Sequence, residues 1–310
     1  MTHLSGFIAA TYTPMHADRT LNLEAIEAYA EHLVAEGVTG VFVGGTTGES
    51  MSLTVEERIL VVERWKTALP EGFPLIAHVG HTCLADCKRM AAHAQRAGVH
   101  AIAAVGPFFF KPKDVEDLVA FCLEIAETAE ELPFYYYHIP PLTGITFPMR
   151  AFLEAAADRI PTLVGIKYSA DDLYDFGRCV DFQDGRYTML FGRDEALLGA
   201  LAVGAAGAVG STYNFATTLY RRLLDAHRAG DLATARDAQR DARLLVERLL
   251  SFDAISAGKA IMGMLGIDCG PVRPPLRSLA PSDVDALREA LDEIGFFGER
   301  FRPNDTAPSS

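Results

Sequence analysis

The chain has 310 residues, of which 49% are hydrophobic and 22% are charged, and its formal net charge is −13. This is a globular composition, with enough apolar material for one large α/β domain or two ordinary ones. An acidic surface repels phosphate backbones, so we expect no nucleic-acid partner.

The N-terminal stretch MTHLSGFIAATYTPM lacks the basic segment and apolar run of a signal peptide. No apolar stretch is long enough to cross a bilayer, so no membrane association is expected. The five cysteines are scattered and odd in number, which suits a reducing compartment. These features predict a soluble cytoplasmic protein.

Eight short apolar runs follow one another along the chain, and amphipathic helix patterns lie between them. Their composition is typical of parallel strands buried on both faces. In the first connection, LNLEAIEAYAEHLVAEG ends in a helix-stopping glycine, and in the second, Thr54 and Glu57 form a capping-box pattern. The runs are GFIAATY (6–12), GVFVGG (40–45), PLIAHVG (74–80), AIAAVG (101–106), PFYYYH (133–138), LVGIKY (163–168), YTMLFG (187–192) and GAVGS (207–211).

Eight strands that alternate with helices predict a (β/α)8 barrel, a TIM barrel closed by right-handed crossovers in sequence order. The alternative is a doubly wound open sheet, but ATYTPM after the first run is not a glycine-rich phosphate loop. After the eighth run, four more helix patterns predict a C-terminal helical extension. We therefore expect a barrel over residues 1–225, a helical annex of the same unit over 226–298 and a loose tail over 299–310.

Active sites of such barrels lie at the C-terminal ends of the strands, where Lys167 closes the sixth run. A buried lysine must be paired or lose its proton, and the neutral amine is a nucleophile that condenses with a ketone to an imine. The alternative is a lysine just past a strand end that points to solvent. Tyr137, at the end of the fifth run, is then a candidate proton relay beside the iminium.

The segment GGTTGES (44–50) ends the second run. Its glycines free backbone N–H groups to face a cavity, and the Thr46 and Thr47 hydroxyls add donors, which together make a seat for a carboxylate. Taken alone, the segment is equally compatible with a simple tight turn. With Lys167 it favours a 2-oxo acid substrate, whose ketone meets the lysine and whose carboxylate meets the two threonines.

Other polar groups end the sixth, seventh and eighth runs. The pair Asp194 and Glu195 suits a metal or a polyol, but no further carboxylate or histidine cluster stands at strand ends, so a metal is disfavoured. As acceptors for a sugar chain they fit well, and a solvated acidic loop is the plain alternative. The full set of expected substrate-binding residues beyond the threonines is Ser169, Gly192, Asp194, Glu195 and Ser211.

Cys83 and Cys87 lie four apart, with His78 and His81 upstream, which makes a metal site conceivable. The simpler interpretation is two small apolar residues that pack one helix, because no second ligand pair stands nearby.

Together these segments resemble the N-acetylneuraminate lyase and dihydrodipicolinate synthase family of class I aldolases, from Gly6 to about Arg277. GGTTGES is similar to the family's carboxylate loop, YYYHIPPLTG to its tyrosine segment and GIKYSADDL to its Schiff-base segment. GRDEALL and GSTYN resemble the lyase branch. The resemblance implies a homotetramer that needs no cofactor or metal and cleaves N-acetylneuraminate to N-acetylmannosamine and pyruvate.

Two positions depart from family patterns. Dihydrodipicolinate synthases carry an arginine where this chain has Leu142, so that branch is less expected. Many relatives place a neighbouring subunit's tyrosine after the fourth strand, where this chain has Phe110; either the proton relay runs differently or water replaces the hydroxyl. A 2-keto-3-deoxy sugar acid aldolase or dehydratase, and a non-catalytic barrel that binds a keto acid, remain alternatives.

Overall fold

The structure, a computed structural model, describes residues 4–301. Eight parallel strands pair in sequence order, and β8 returns to pair with β1, which closes a barrel. The predicted (β/α)8 barrel is therefore confirmed, and the open doubly wound sheet is wrong. The strands are β1 (Gly6–Ala10), β2 (Gly40–Val43), β3 (Leu75–His78), β4 (Ala101–Ala104), β5 (Phe134–His138), β6 (Leu163–Tyr168), β7 (Thr188–Phe191) and β8 (Gly207–Gly210).

Helices connect the strands and then continue past β8, as the amphipathic patterns predict. The capping box at Thr54 and Glu57 is present at the start of the second helix. The helices are α1 (Ala25–Glu36), α2 (Val55–Ala68), α3 (Leu84–Arg96), α4 (Val115–Thr128), α5 (Pro140–Thr143), α6 (Met149–Ala156), α7 (Leu173–Val180), α8 (Leu197–Ala202), α9 (Thr217–Arg228), α10 (Leu232–Leu250), α11 (Ala254–Met264) and α12 (Pro281–Glu293).

Strand side chains alternate between two buried layers. The larger layer lies between the sheet and the helices, and the smaller one fills the barrel. Tyr135 and Tyr137 belong to the inner layer and Tyr136 to the outer one, as period-two alternation requires. The β5–β6 register sets Tyr137 beside Lys167, so both point into the barrel.

The C-terminal helices pack beside the barrel mouth. Helix α10 lies against α9 and α8, and its last two turns reach the C-terminal ends of the strands. The predicted boundary after residue 225 falls within α9, and the division into barrel and annex stays a prediction. Of the tail predicted over 299–310, residues 302–310 lie outside the described residues. Within residues 4–301, no helix has the length and hydropathy needed to span a membrane.

Candidate active site

A cavity of about 310 Å³ opens at the C-terminal ends of the barrel strands. Strand ends from β2, β5, β6, β7 and β8 contribute its walls, and α10 covers one side. All nine site residues predicted from the sequence line it, although they come from five separate segments. They are Thr46, Thr47, Tyr137, Lys167, Ser169, Gly192, Asp194, Glu195 and Ser211.

Lys167 projects from the inner face of β6 and is only 4% exposed. Its Nζ lies 4.0 Å from the centroid of the Phe42 ring and 3.9 Å from that of Tyr137. Within residues 4–301, no carboxylate forms an ion pair with it. The nitrogen therefore faces two aromatic rings and the cavity, and once deprotonated its lone pair is free to attack a carbonyl.

Tyr137 connects this lysine to the carboxylate loop, the name we give to residues 44–50. The Tyr137 hydroxyl lies 3.3 Å from Thr46 Oγ1. The backbone of the loop is closely packed: a Cβ on Gly45 would come within 2.7 Å of the Phe42 ring. The loop therefore presents the two threonines to the cavity beside Lys167 and Tyr137, as the sequence predicts.

His78, at the end of β3, anchors the start of the carboxylate loop. Its Nδ1 is 2.8 Å from the Gly44 carbonyl oxygen. Burial, and then the charge of Arg58, hold the pKa of His78 well below 6.5. The ring is thus neutral, and Nδ1–H donates to the carbonyl. The sequence pattern points to this histidine only as a conceivable metal ligand.

Asp194 is buried against the turn that follows β8. Its Oδ2 accepts hydrogen bonds from the Thr212 hydroxyl at 2.6 Å and from the Thr212 backbone N–H at 3.1 Å. Burial raises the pKa of Asp194, and these two bonds oppose the rise. A Cβ on Gly210 would overlap the same carboxylate. Asp194 therefore joins the β7 and β8 loops, a task that its expected role as a polyol acceptor did not include.

Glu195 is the more accessible of the two acidic residues, with 28% of its side chain exposed. Its Oε1 lies 2.9 Å from Nε of Arg193, and the other end of that guanidinium lies 3.3 Å from Asp171. Arg193 also lines the cavity. Arg193 thus lies between two carboxylates at the mouth, and the partly exposed Glu195 carboxylate can still accept hydrogen bonds from hydroxyl groups.

The part of the cavity wall formed by Ser169, Gly192 and Ser211 is held by close contacts between neighbouring loops. A Cβ on Gly192 would overlap Ser169 Oγ, so only glycine leaves that hydroxyl in place. Ser211 is held by Asn214, whose amide nitrogen donates to the Ser211 carbonyl at 2.7 Å and to that of Ala10 at 2.8 Å. The turn after β8 is therefore fastened to β1.

Several cavity residues were missed by the sequence analysis. Thr212 sits next to a predicted residue, and its signal was its place in the polar segment GSTYN. Arg193 lies inside the segment GRDEALL, in which only Gly192, Asp194 and Glu195 were predicted to bind substrate. The apolar lining from the annex carries no motif at all; it consists of Val246, Leu249, Leu250 and Ala254.

The cysteine pair does not form a metal site in the described structure. Cys83 is exposed and precedes α3, whereas Cys87 is buried and its sulfur accepts the His81 backbone N–H at 3.1 Å. Between residues 4 and 301, no group of three or more histidine, cysteine, aspartate or glutamate side chains is placed to hold a metal. That no metal or cofactor takes part stays a prediction.

The two positions that depart from the family pattern lie on the surface. Phe110 is 84% exposed and its ring meets that of Phe109 edge to face, with centroids 5.0 Å apart. Leu142 is also exposed. Neither Phe110 nor Leu142 lines the cavity within this chain.

Comparisons with known proteins agree with this geometry. The N-acetylneuraminate lyase of Xenopus tropicalis is 44% identical over 295 residues, which cover 93% of this chain and 96% of the relative. The human N-acetylneuraminate lyase is 40% identical over 302 residues, covering 94% and 93%. The solved Proteus mirabilis N-acetylneuraminate lyase superposes with a TM-score of 0.93 at 40% identity, covering 95% of this chain and 100% of that one. A model of the dihydrodipicolinate synthetase family matches residues 3–294, so the chain belongs to that family.

Proposed function

We propose that this protein is a lysine-dependent lyase that cleaves N-acetylneuraminate to N-acetylmannosamine and pyruvate. The proposal rests on the position of the Lys167 amine, which is buried beside Tyr137 in the cavity. The carboxylate loop forms the adjacent wall and contacts Tyr137 through Thr46. The names of relatives about 40% identical over nearly the full chain support the same substrate.

The reaction begins at Lys167. The neutral amine adds to the C2 ketone of the open-chain sugar acid, and loss of water gives an imine that is readily protonated. Thr46 and Thr47 hold the adjacent carboxylate, which fixes the ketone over the amine. The iminium then accepts the electron pair of the C3–C4 bond.

Tyr137 serves as the proton relay. As the C3–C4 bond breaks, the C4 hydroxyl loses its proton to Tyr137 and becomes the aldehyde of N-acetylmannosamine. The enamine left on Lys167 takes a proton at C3, and water hydrolyses the imine to release pyruvate and restore the amine. The hydroxyl of Thr46, 3.3 Å from that of Tyr137, stabilises the relay by a hydrogen bond.

The sugar chain extends toward the β7 and β8 loops. Glu195, Ser169 and Ser211 line that side of the cavity and provide acceptors and donors for hydroxyl groups. Gly192 keeps the Ser169 hydroxyl in place, and Asp194 orders the loop through Thr212.

A dicarboxylate substrate fits this cavity less well. Among the described cavity-lining residues, the cations are Lys167 and Arg193. Lys167 is reserved for the ketone, and Arg193 is already paired with Asp171 and Glu195. A second carboxylate would therefore enter without a free cation, and Leu142 offers none.

The test is reductive trapping. The protein is incubated with pyruvate and borohydride, and the adduct is mapped by mass spectrometry, with Lys167→Ala and the surface variant Lys88→Ala as controls. We expect an adduct on Lys167 in the wild type and in Lys88→Ala, and none in Lys167→Ala. Absence of the Lys167 adduct from the wild type would refute the imine mechanism.

Parallel incubations name the substrate. N-acetylneuraminate and 2-keto-3-deoxygluconate are each supplied without pyruvate, and released pyruvate is measured. Release from the first alone supports the lyase, whereas release from the second alone would favour a 2-keto-3-deoxy sugar acid aldolase.

We also propose a homotetramer in the cytoplasm. The adjacent exposed rings of Phe109 and Phe110 supply apolar surface for a contact between copies. The described cysteines are all free, as a reducing compartment allows. Light scattering should give four times the chain mass of 33.6 kDa, and a monomeric mass would refute the assembly.

A further inference from the structure

A buried ion pair joins the carboxylate loop to the helical annex. Lys259 lies on α11, and its Nζ is 2.7 Å from Oε1 of Glu49, the sixth residue of the loop. The side chains are 2% and 0% exposed, respectively. We propose that Lys259 is a positioning residue for the lyase reaction, acting through Glu49 to fix the turn that presents Thr46 and Thr47; this role rests on the proposed function.

Both partners of the pair are also held by the segment that follows α11. Lys259 Nζ donates to the Pro271 carbonyl at 2.8 Å. Glu49 Oε2 accepts the backbone N–H of Arg273 at 2.8 Å. A buried ion pair is costly unless further hydrogen bonds stabilise it, and each partner here has one such bond. Glu49 is thereby fixed from two directions by residues more than two hundred positions away in the sequence.

The position of Glu49 sets the backbone that carries the threonines. Its N–H donates to the Thr46 carbonyl at 3.0 Å, and the next N–H, of Ser50, donates to the Gly45 carbonyl at 3.2 Å. Thr46 and Thr47 lie inside the turn that these bonds close. A displacement of the Glu49 backbone therefore moves both hydroxyls relative to Lys167.

The backbone of Glu49 is itself unusual. Its φ is +56°, in the left-handed region that glycine adopts at low cost and other residues rarely occupy. A glutamate there needs a compensating interaction, and its side chain finds one in Lys259. The ion pair thus stabilises the backbone conformation on which the carboxylate seat depends.

The alternative is a pair that contributes to folding only. A purely structural pair changes stability when removed but leaves the dependence on pyruvate concentration unaltered in the folded variant. Removal of a positioning pair raises the pyruvate concentration needed to half-saturate Lys167 but leaves the final extent of labelling unchanged. The reason is that the amine remains intact and only the carboxylate seat is displaced.

The experiment uses the double variant Glu49→Gln/Lys259→Met. It removes both charges with little change in side-chain shape, so no unpaired charge remains in the buried site. The matched control is Glu124→Gln/Lys88→Met, which removes a surface ion pair of 3.0 Å. Pyruvate and borohydride are the probes, followed by the KM for N-acetylneuraminate. We expect the half-saturating pyruvate concentration and the KM to rise about tenfold or more in the double variant, and to stay within about twofold in the control.

Each outcome decides the matter. Wild-type half-saturation in a folded double variant would overturn the positioning role. If the double variant does not fold, Glu49→Asp is measured instead, because it keeps both charges and only shortens the reach to Lys259; failure of both variants to fold would mark the pair as structural and overturn the proposal. A wild-type protein that never traps pyruvate on Lys167 would instead overturn the proposed function, and with it the role of Lys259.

Discussion

The hydrogen bond between Thr212 and Asp194 gives a prediction whose size follows from the structure. The Thr212 hydroxyl has one proton, which it donates in a hydrogen bond of 2.6 Å to the buried Asp194 carboxylate. The Tyr220 hydroxyl, whose oxygen lies 2.8 Å from that of Thr212, must therefore be the donor in the second bond. Thr212→Val keeps the shape of the side chain but removes both bonds, while the backbone N–H of residue 212 still reaches Asp194.

The expected loss of stability is about 3 kcal/mol. A hydrogen bond to a charged group contributes about 1.5–3 kcal/mol, and a buried hydroxyl left without its partner, here that of Tyr220, costs roughly 1 kcal/mol more. Thr217→Val is the matched control: Thr217 is equally buried, but its hydroxyl donates to the neutral Tyr213 carbonyl at 2.8 Å. We expect the control to lose about 1 kcal/mol.

The effect should also depend on pH. Burial raises the pKa of Asp194 above 3.8, so the folded chain binds this proton more tightly than the unfolded chain, and the Asp194 contribution to stability falls as the pH rises from about 4. Thr212→Val removes a bond that lowers this pKa. The variant's penalty should therefore be largest near pH 7.5 and smaller near pH 5.

Urea unfolding followed by circular dichroism at both pH values measures these quantities. The prediction is contradicted if Thr212→Val costs no more stability than Thr217→Val, or if its stability penalty is the same at pH 5 and pH 7.5. The first result would mean that the buried carboxylate gains little from the threonine hydroxyl, and the second that Asp194 does not change its charge between these two pH values.

Three further predictions concern catalysis. Gly192→Ala should lower kcat/KM for N-acetylneuraminate by about tenfold or more, because the new Cβ displaces the Ser169 hydroxyl. The control is Gly263→Ala, whose Cβ meets no atom within 4 Å. Equal activity of the two variants would contradict the role of Ser169. Glu195→Gln should raise the KM for the sugar acid several-fold and leave pyruvate trapping on Lys167 unchanged, since pyruvate has no polyol; a matching loss of trapping would place Glu195 in the imine chemistry instead. Treatment with EDTA should leave the activity intact, and loss of activity that a divalent metal restores would contradict the metal-free scheme.

The barrel was predictable because its signals are local. Each strand is a short apolar run, and each helix carries a periodic pattern or a cap such as Thr54–Glu57. Period-two alternation puts Tyr135 and Tyr137 on one face of their strand, and the register of β5 and β6, which only the structure gives, sets Lys167 beside Tyr137. The C-terminal ends of parallel barrel strands lie at one face of the barrel. The nine predicted site residues, the first being Thr46 and the last Ser211, were therefore expected to meet at that face, and all nine line the cavity there.

What the sequence could not supply is the pairing of polar groups across distant segments. Asp194 and Glu195 are adjacent in the chain and look equivalent in a motif, yet one is buried on Thr212 and the other lies at the cavity mouth with Arg193. That difference depends on which way each side chain leaves the short 3₁₀ turn after β7, and on the absence of a Cβ at Gly210. No periodicity in the sequence encodes it.

The link between Glu49 and Lys259 belongs to the same class and shows why the annex belongs to the site. Their separation along the chain exceeds the reach of any local pattern, and each looks ordinary by itself, one as part of a glycine-rich turn and one as a helical lysine. Only the folded structure shows that both side chains are buried and that Lys259 Nζ lies 2.7 Å from Glu49 Oε1. Because a buried charge needs its partner, the left-handed turn at Glu49 depends on helix α11 being docked against the barrel. A truncation that removes α11 should therefore damage the seat formed by Thr46 and Thr47, even though neither threonine contacts the removed helix through a hydrogen bond within the described residues.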